Sequence, residues 1–132
     1  MSKTMGAQTV NVVPGRNVVV SAGVGKTNVE EIKWLTKTVL ESAAGWKQAG
    51  WAYVADCSQM SPVGPSEGGE LVRMTKAFVE AGCKAIGFAE GNSFMLKVQA
   101  QKNTERSETG ILEAHFKTTE EALEWLKNDV KI

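Results

Sequence analysis

The chain has a single histidine and two cysteines in 132 residues, and no surplus of charge, because fifteen Lys and Arg offset fifteen Asp and Glu. Each shortage excludes something. Cys57 and Cys83 lack CxxC spacing, and with His115 as the sole imidazole they do not compose a zinc site, so no metal and no cofactor is expected. A net charge of zero supplies no overall field to draw in the phosphate backbone of DNA or RNA, and nucleic acid is not expected as a partner. No window reaches the roughly 20 consecutive apolar residues that span a bilayer. The opening MSKTMGAQTV carries no apolar run of signal-peptide length, and a cytoplasmic location is expected. Both cysteines lie among apolar neighbours and are expected as small buried thiols.

What the chain does have is an ordinary globular composition, 42% apolar and 23% charged, and enough length for one cored domain over residues 1–132. TVNVVPGRNVVVSAG reads as two valine-rich strands hinged at Pro14-Gly15. Asn28 then caps a helix with Glu30 and Glu31 in its first turn and an apolar stripe at Val29, Ile32, Leu35, Val39, Leu40 and Ala43; Gly45 is expected to end it. GWAYVAD reads as a buried strand ending at Asp56, and CSQMSPVGPSEGG as a loop. A second helix is predicted from Ser66 to Ala81, stopped by Gly82. The strand KAIGFAE follows, then a helix capped by Asn92 or Ser93, the strand GILEAHF, and a closing helix capped by Thr118 or Thr119. Strands alternating with helices predict an α/β fold: a mixed, mostly parallel sheet of about five strands with about four helices.

Gly23-Val24-Gly25-Lys26-Thr27 lies between strand and helix, where a phosphate-binding loop would sit. Such a loop needs a further glycine five residues before Gly25, and that position is Val20. The two glycines are expected only to let the chain leave its strand.

Three segments, WAYVADCSQM, FVEAGCKAIGFAEGN and ILEAHFKTTEEALEWL, together with the element order, resemble the STAS domain (sulfate transporter and anti-sigma-factor antagonist) and within it the SpoIIAA-like proteins. The resemblance runs from about Thr9 to Leu126. It implies SpoIIAA-like topology and a non-enzymatic domain that binds a partner protein or a small apolar ligand or lipid. Loop 57–69 and the helix start after it would form the main recognition surface. The residues this assigns to ligand or partner binding are Asp56, Ser58, Met60 and Ser66, with Trp34 and Phe94 as apolar contributors. The resemblance also implies an alternative, an anti-sigma-factor antagonist switched by phosphorylation of Ser66 or, as lesser candidates, Ser58 or Ser61. A phosphate on Ser66 would meet free amides and the positive end of a helix. Here, however, Gly64-Pro65 precedes that serine and Glu67 follows it.

Catalysis requires a base, and His115 is the one imidazole; strand alternation puts it on a face with Glu113. Asp56 lies at the carboxyl end of a predicted central strand, where open α/β sheets hold ligands. A small enzyme would therefore use Asp56, Cys57 or His115, brought together by the fold. Trp34, Trp46, Trp51 and Trp125 are expected to pack in the core or at its edge, with Trp34 and Met60 as a candidate apolar surface or pocket; exposed tryptophans would also suit a homodimer. Phe94, Met95, Leu96 and Val98 are too many for one narrow helical stripe, so some should be exposed or line a cavity. Lys97, Lys102 and Arg106 add weak attraction to a membrane surface, offset by Glu105 and Glu108.

Overall fold

The computed structural model describes residues 2–132. The valine-rich segments beside Pro14-Gly15 fold back on each other as predicted. Strand β1 (Lys3–Met5) leads into β2 (Gln8–Val12), which pairs antiparallel with β3 (Val18–Gly25), Val10 opposite Ser21. Strand β1 adds antiparallel to the free edge of β2. The sequence did not suggest it, because all three of its residues are exposed and carry no burial alternation.

From β3 onward the chain alternates. Helix α1 (Val29–Ser42), β4 (Trp51–Met60), α2 (Pro65–Glu80), β5 (Cys83–Ala89), α3 (Phe94–Ser107), β6 (Leu112–Phe116) and α4 (Thr119–Trp125) follow, the last running into a wider turn over Leu126–Val130. Among the described residues, the six strands form one sheet in sequence order, and β3 to β6 are parallel. Local capping chemistry sets the helix starts. Asn28 Oδ1 accepts from the Glu31 amide at 2.8 Å and Ser93 Oγ from the Leu96 amide at 3.2 Å, while Thr118 and Glu121 exchange side-chain and amide bonds.

Alternation along the strands divides the core. Val10, Val19, Tyr53 and Ile86 face α1 and α2, meeting Ile32, Leu35, Val39, Met74 and Phe78. Val18, Ala52, Val54 and Ala85 face the other way, onto Ala122 and Leu126 of α4 and the turn that continues it. Each side chain of this size withdrawn fully from water contributes about 1.5–3 kcal/mol. Helices α1 to α3 thus cover one face of the sheet and α4 the other.

Three boundaries differ from expectation. Helix α1 ends at Ala43 and tightens into a 3₁₀ turn over Ala44–Trp46, so Gly45 does not cap it; the left-handed glycine before the next strand is Gly50, at φ 90°. Strand β4 does not stop at Asp56. It continues to Met60 through a bulge, since Ala22 pairs with Asp56 but Val24 pairs with Gln59. The residue capping α2 is Gly64, and Ser66 lies inside the first turn.

Gly82 joins α2 to β5 at φ 98°, and a Cβ there would lie 2.5 Å from the carbonyl oxygen of Lys47. Gly82→Ala should cost at least about 1–3 kcal/mol from backbone strain alone. Urea unfolding should show a lower midpoint, whereas Gly45→Ala, whose Cβ would meet nothing within 4 Å, should leave it in place. Equal midpoints for the two variants would refute the close approach.

Candidate functional site

Helices α1, α2 and α3 do not fill the space above the sheet. Between them and the strands lies a cavity of about 100 Å³. Its apolar wall includes Ile32 and Leu35 of α1, Leu71 and Met74 of α2, and Leu96 of α3, over Phe88 of the sheet. The bulge in β4 delivers Met60 to the same space, and a Cβ on Gly23 would approach its sulfur to 2.9 Å. At one end, Gln99 of α3 clasps the segment between β4 and α2: its Nε2 donates to the Val63 carbonyl and its Oε1 accepts from the Val63 amide, both at 2.9 Å. At another, Gln8 Nε2 donates to Thr27 Oγ1 at 3.2 Å, and Thr27 donates on to Glu31 at 3.1 Å. On the sheet side, the buried hydroxyls of Ser21 and Tyr53 bond to each other.

Asp56 borders the cavity, but its carboxylate is committed elsewhere. Oδ1 accepts from the Ser58 amide at 3.1 Å and the Ser58 hydroxyl at 2.7 Å, bracing the bulge, and Oδ2 accepts from Thr119 Oγ1 at 3.0 Å at the start of α4. Burial pushes the Cys57 thiol up to about 12, reinforced by the negative charges of Glu90 and Asp56. Burial likewise carries Cys83 to about 12. A thiol so shifted stays protonated near neutral pH and is a poor nucleophile.

A second, more open and more polar cavity of about 340 Å³ lies where β5 and β6 meet the start of α3, bordered by Glu90, Phe94, Lys97, His115 and Lys117. The register that sets Phe88 opposite His115 and Ile86 opposite Glu113 puts this imidazole on the same sheet face as the first cavity. His115 Nδ1 lies 2.8 and 3.1 Å from the two oxygens of Glu90, and Nε2 lies 3.0 Å from Glu113. The ring also stacks on Phe88, centroids 5.2 Å apart at 11°. Burial raises the Glu90 carboxyl above its ordinary value, with the His115 hydrogen bond and charge pulling against it. A carboxyl group sits at each ring nitrogen, so both positions of the imidazole are engaged within the protein.

The enzyme candidates are thus divided. Asp56 and Cys57 border the first cavity and His115 the second, more open one. The sequence reading missed Glu90. It closes β5 as Asp56 follows the buried part of β4, so the strand-end argument that singled out Asp56 pointed equally to Glu90.

Against solved structures, the chain is similar to an uncharacterised protein of the DUF3478 family with a SpoIIAA-like fold from Shewanella loihica PV-4. That match has a TM-score of 0.70 and 16% identity, over 96% of this chain and 98% of the other. This chain has a SpoIIAA-like fold. It is also similar to an anti-sigma factor antagonist from Mycobacterium paratuberculosis, at TM-score 0.57 and 13% identity over 92% of this chain and 95% of that one. No protein-family model and no curated protein sequence matches it.

Within the SpoIIAA-like scaffold the remaining candidates scatter. Met60 and Ser61 border the first cavity, whereas Ser58, Ser66, Trp34 and Phe94 do not. Ser66 is exposed in the first turn of α2, where Glu67 already accepts from the Gly64 amide at 3.2 Å. Trp34 is half-buried against the α1–α2 side of the core. The crowded start of α3 divides as its composition required: Phe94 and Met95 are 77% and 60% exposed, while Leu96 is 7% exposed and faces the cavity. Among the described residues no helix is long and apolar enough to cross a membrane.

Proposed function

We propose that the chain binds a small apolar ligand in the cavity beneath α1–α3 and catalyses no reaction there. The supporting observation is the void itself. Protein interiors pack to crystal density with few gaps larger than a water molecule, yet this one holds about 100 Å³ walled largely by aliphatic side chains. That is below the roughly 300–1,000 Å³ of pockets for drug-sized ligands and closer to the ~150 Å³ engineered cavity that admits benzene or xenon. A single ring or a short chain fits within it. The non-enzymatic part of the proposal draws on a protonated Cys57 and a carboxylate of Asp56 already occupied by Ser58 and Thr119.

Native mass spectrometry of the protein purified from its host tests this. A reproducible small adduct, lost on denaturation, is expected, and Ala100→Phe, which places a ring in the cavity, should abolish it without lowering the melting temperature. A bare polypeptide that also takes up no xenon under pressure would overturn the proposal. A second reading, a phosphorylation-switched antagonist of an anti-sigma factor, draws support from the exposed Ser66 in the first turn of α2. The same spectra would reveal it as one covalent phosphate that Ser66→Ala removes.

A further inference from the structure

Several of the polar side chains around the cavity are spent, while the half-buried Asn103 and Ser61 at its border make no side-chain bond among the described residues. Thr75 and Thr104 donate to carbonyls of their own helices at 3.0 Å, and Thr27 donates to Glu31. The amide of Gln99 is used at both ends by Val63. Among the nearly fully buried side chains that border it, two have capacity left: Gln8, whose Nε2 has one N–H beyond the bond to Thr27, and the Ser21–Tyr53 pair, which lies on the sheet floor. Each hydroxyl carries one O–H donor, and their mutual bond consumes one of the two. The second O–H has no acceptor among the described residues, although Ser21 and Tyr53 are only 4% and 1% exposed and both border the cavity. A buried donor left without an acceptor costs free energy, and that cost is relieved by whatever enters with one.

Charge narrows the choice. Among the described residues no Lys, Arg or His borders this cavity. A carboxylate or phosphate would shed its water and meet no counter-charge. An ammonium group would find Asp56 already accepting three hydrogen bonds.

We propose, building on the apolar-ligand function above, that the ligand is uncharged and presents a hydrogen-bond acceptor to the free O–H of the Ser21–Tyr53 pair. Its chemistry is that of a ketone, alcohol or ether oxygen on a single ring or short chain.

The test is an NMR titration of the full-length, ¹⁵N-labelled protein at pH 7 with cyclopentane, cyclopentanone and cyclopentanecarboxylate. These share a ring and differ in polar group. The companion is the double variant Ser21→Ala/Tyr53→Phe, which removes both hydroxyls together and so strands neither, a change that is often close to neutral for folding. Cyclopentanone should bind the double variant about tenfold more weakly than the native protein, while cyclopentane binds the two alike. Either single variant keeps one O–H and should retain most of the affinity for the ketone. The carboxylate should bind at least about a hundredfold more weakly than the ketone. A ketone affinity unmoved by the double variant, or a carboxylate that binds as tightly as the ketone, would overturn this proposal and leave apolar-ligand binding standing. If neither cyclopentane nor xenon enters, the apolar-ligand function fails and takes this inference with it.

Discussion

Phe78→Ala should destabilise the fold by about 3–5 kcal/mol, the range for emptying a fully buried aromatic site. The Phe78 ring is 0% exposed and joins α2 to the sheet. It meets Trp51 edge-on at 5.5 Å and Tyr53 at 4.9 Å, contacts that add directional attraction to the area buried. Trp51 could not move to fill the gap without breaking the bond its indole N–H donates to the Ala81 carbonyl at 2.9 Å. Chemical denaturation would show the loss as a lower midpoint, against a natural control in the same chain. Phe94 is 77% exposed, and Phe94→Ala should change stability by less than about 0.5 kcal/mol. Similar losses at the two positions would contradict this division of core from surface.

Alkali should unfold the protein far more steeply than mild acid. Three groups, Tyr53, Cys57 and Cys83, are held protonated by burial. In the unfolded chain the thiols release their protons near 9.0 and the phenol near 10.0; in the folded chain the thiols hold on to about 12 and the phenol higher still. Each folded value is raised, so the stability tied to these groups is complete below pH 9 and is lost as pH climbs toward 12. Near pH 11 unfolding releases close to three protons, a slope of roughly −4 kcal/mol per pH unit. Melting temperatures across pH 8–11 should fall progressively faster, and Cys57→Ala should remove about a third of that slope. A melting temperature level through pH 11 would show that these protons are not held by the fold.

The parts of this fold legible in the sequence are those that local chemistry decides. Pro14-Gly15 announces a turn whatever surrounds it, and Asn28, Ser93 and Thr118 each satisfy amides within three residues. What escaped depends on partners far away in the chain. Cys57, Ser58, Gln59 and Met60 look like loop because they are polar or isolated, and they are strand because Val24 and Gly25 lie alongside to pair with them. Gly45 sits where a cap belongs, yet the chain tightens at Ala44–Trp46 and leaves the left-handed turn to Gly50. The site was legible in pieces only. Met60 could be singled out as apolar and near a strand end. The clasp of Gln99 on Val63 spans 36 positions, and the Ser21–Tyr53 pair spans 32. Such meetings leave no spacing to read.

Phe88 forms part of the wall of the cavity beneath α1–α3 and lies flat against His115. A molecule that shifts that ring on entering changes the magnetic shielding felt by the imidazole stacked on it. Because the chain carries one histidine, its ring protons give a single pair of signals, assignable without comparing one histidine with another. Occupancy of the cavity can therefore be followed at natural abundance, in unlabelled protein, from a resonance that no other residue can supply.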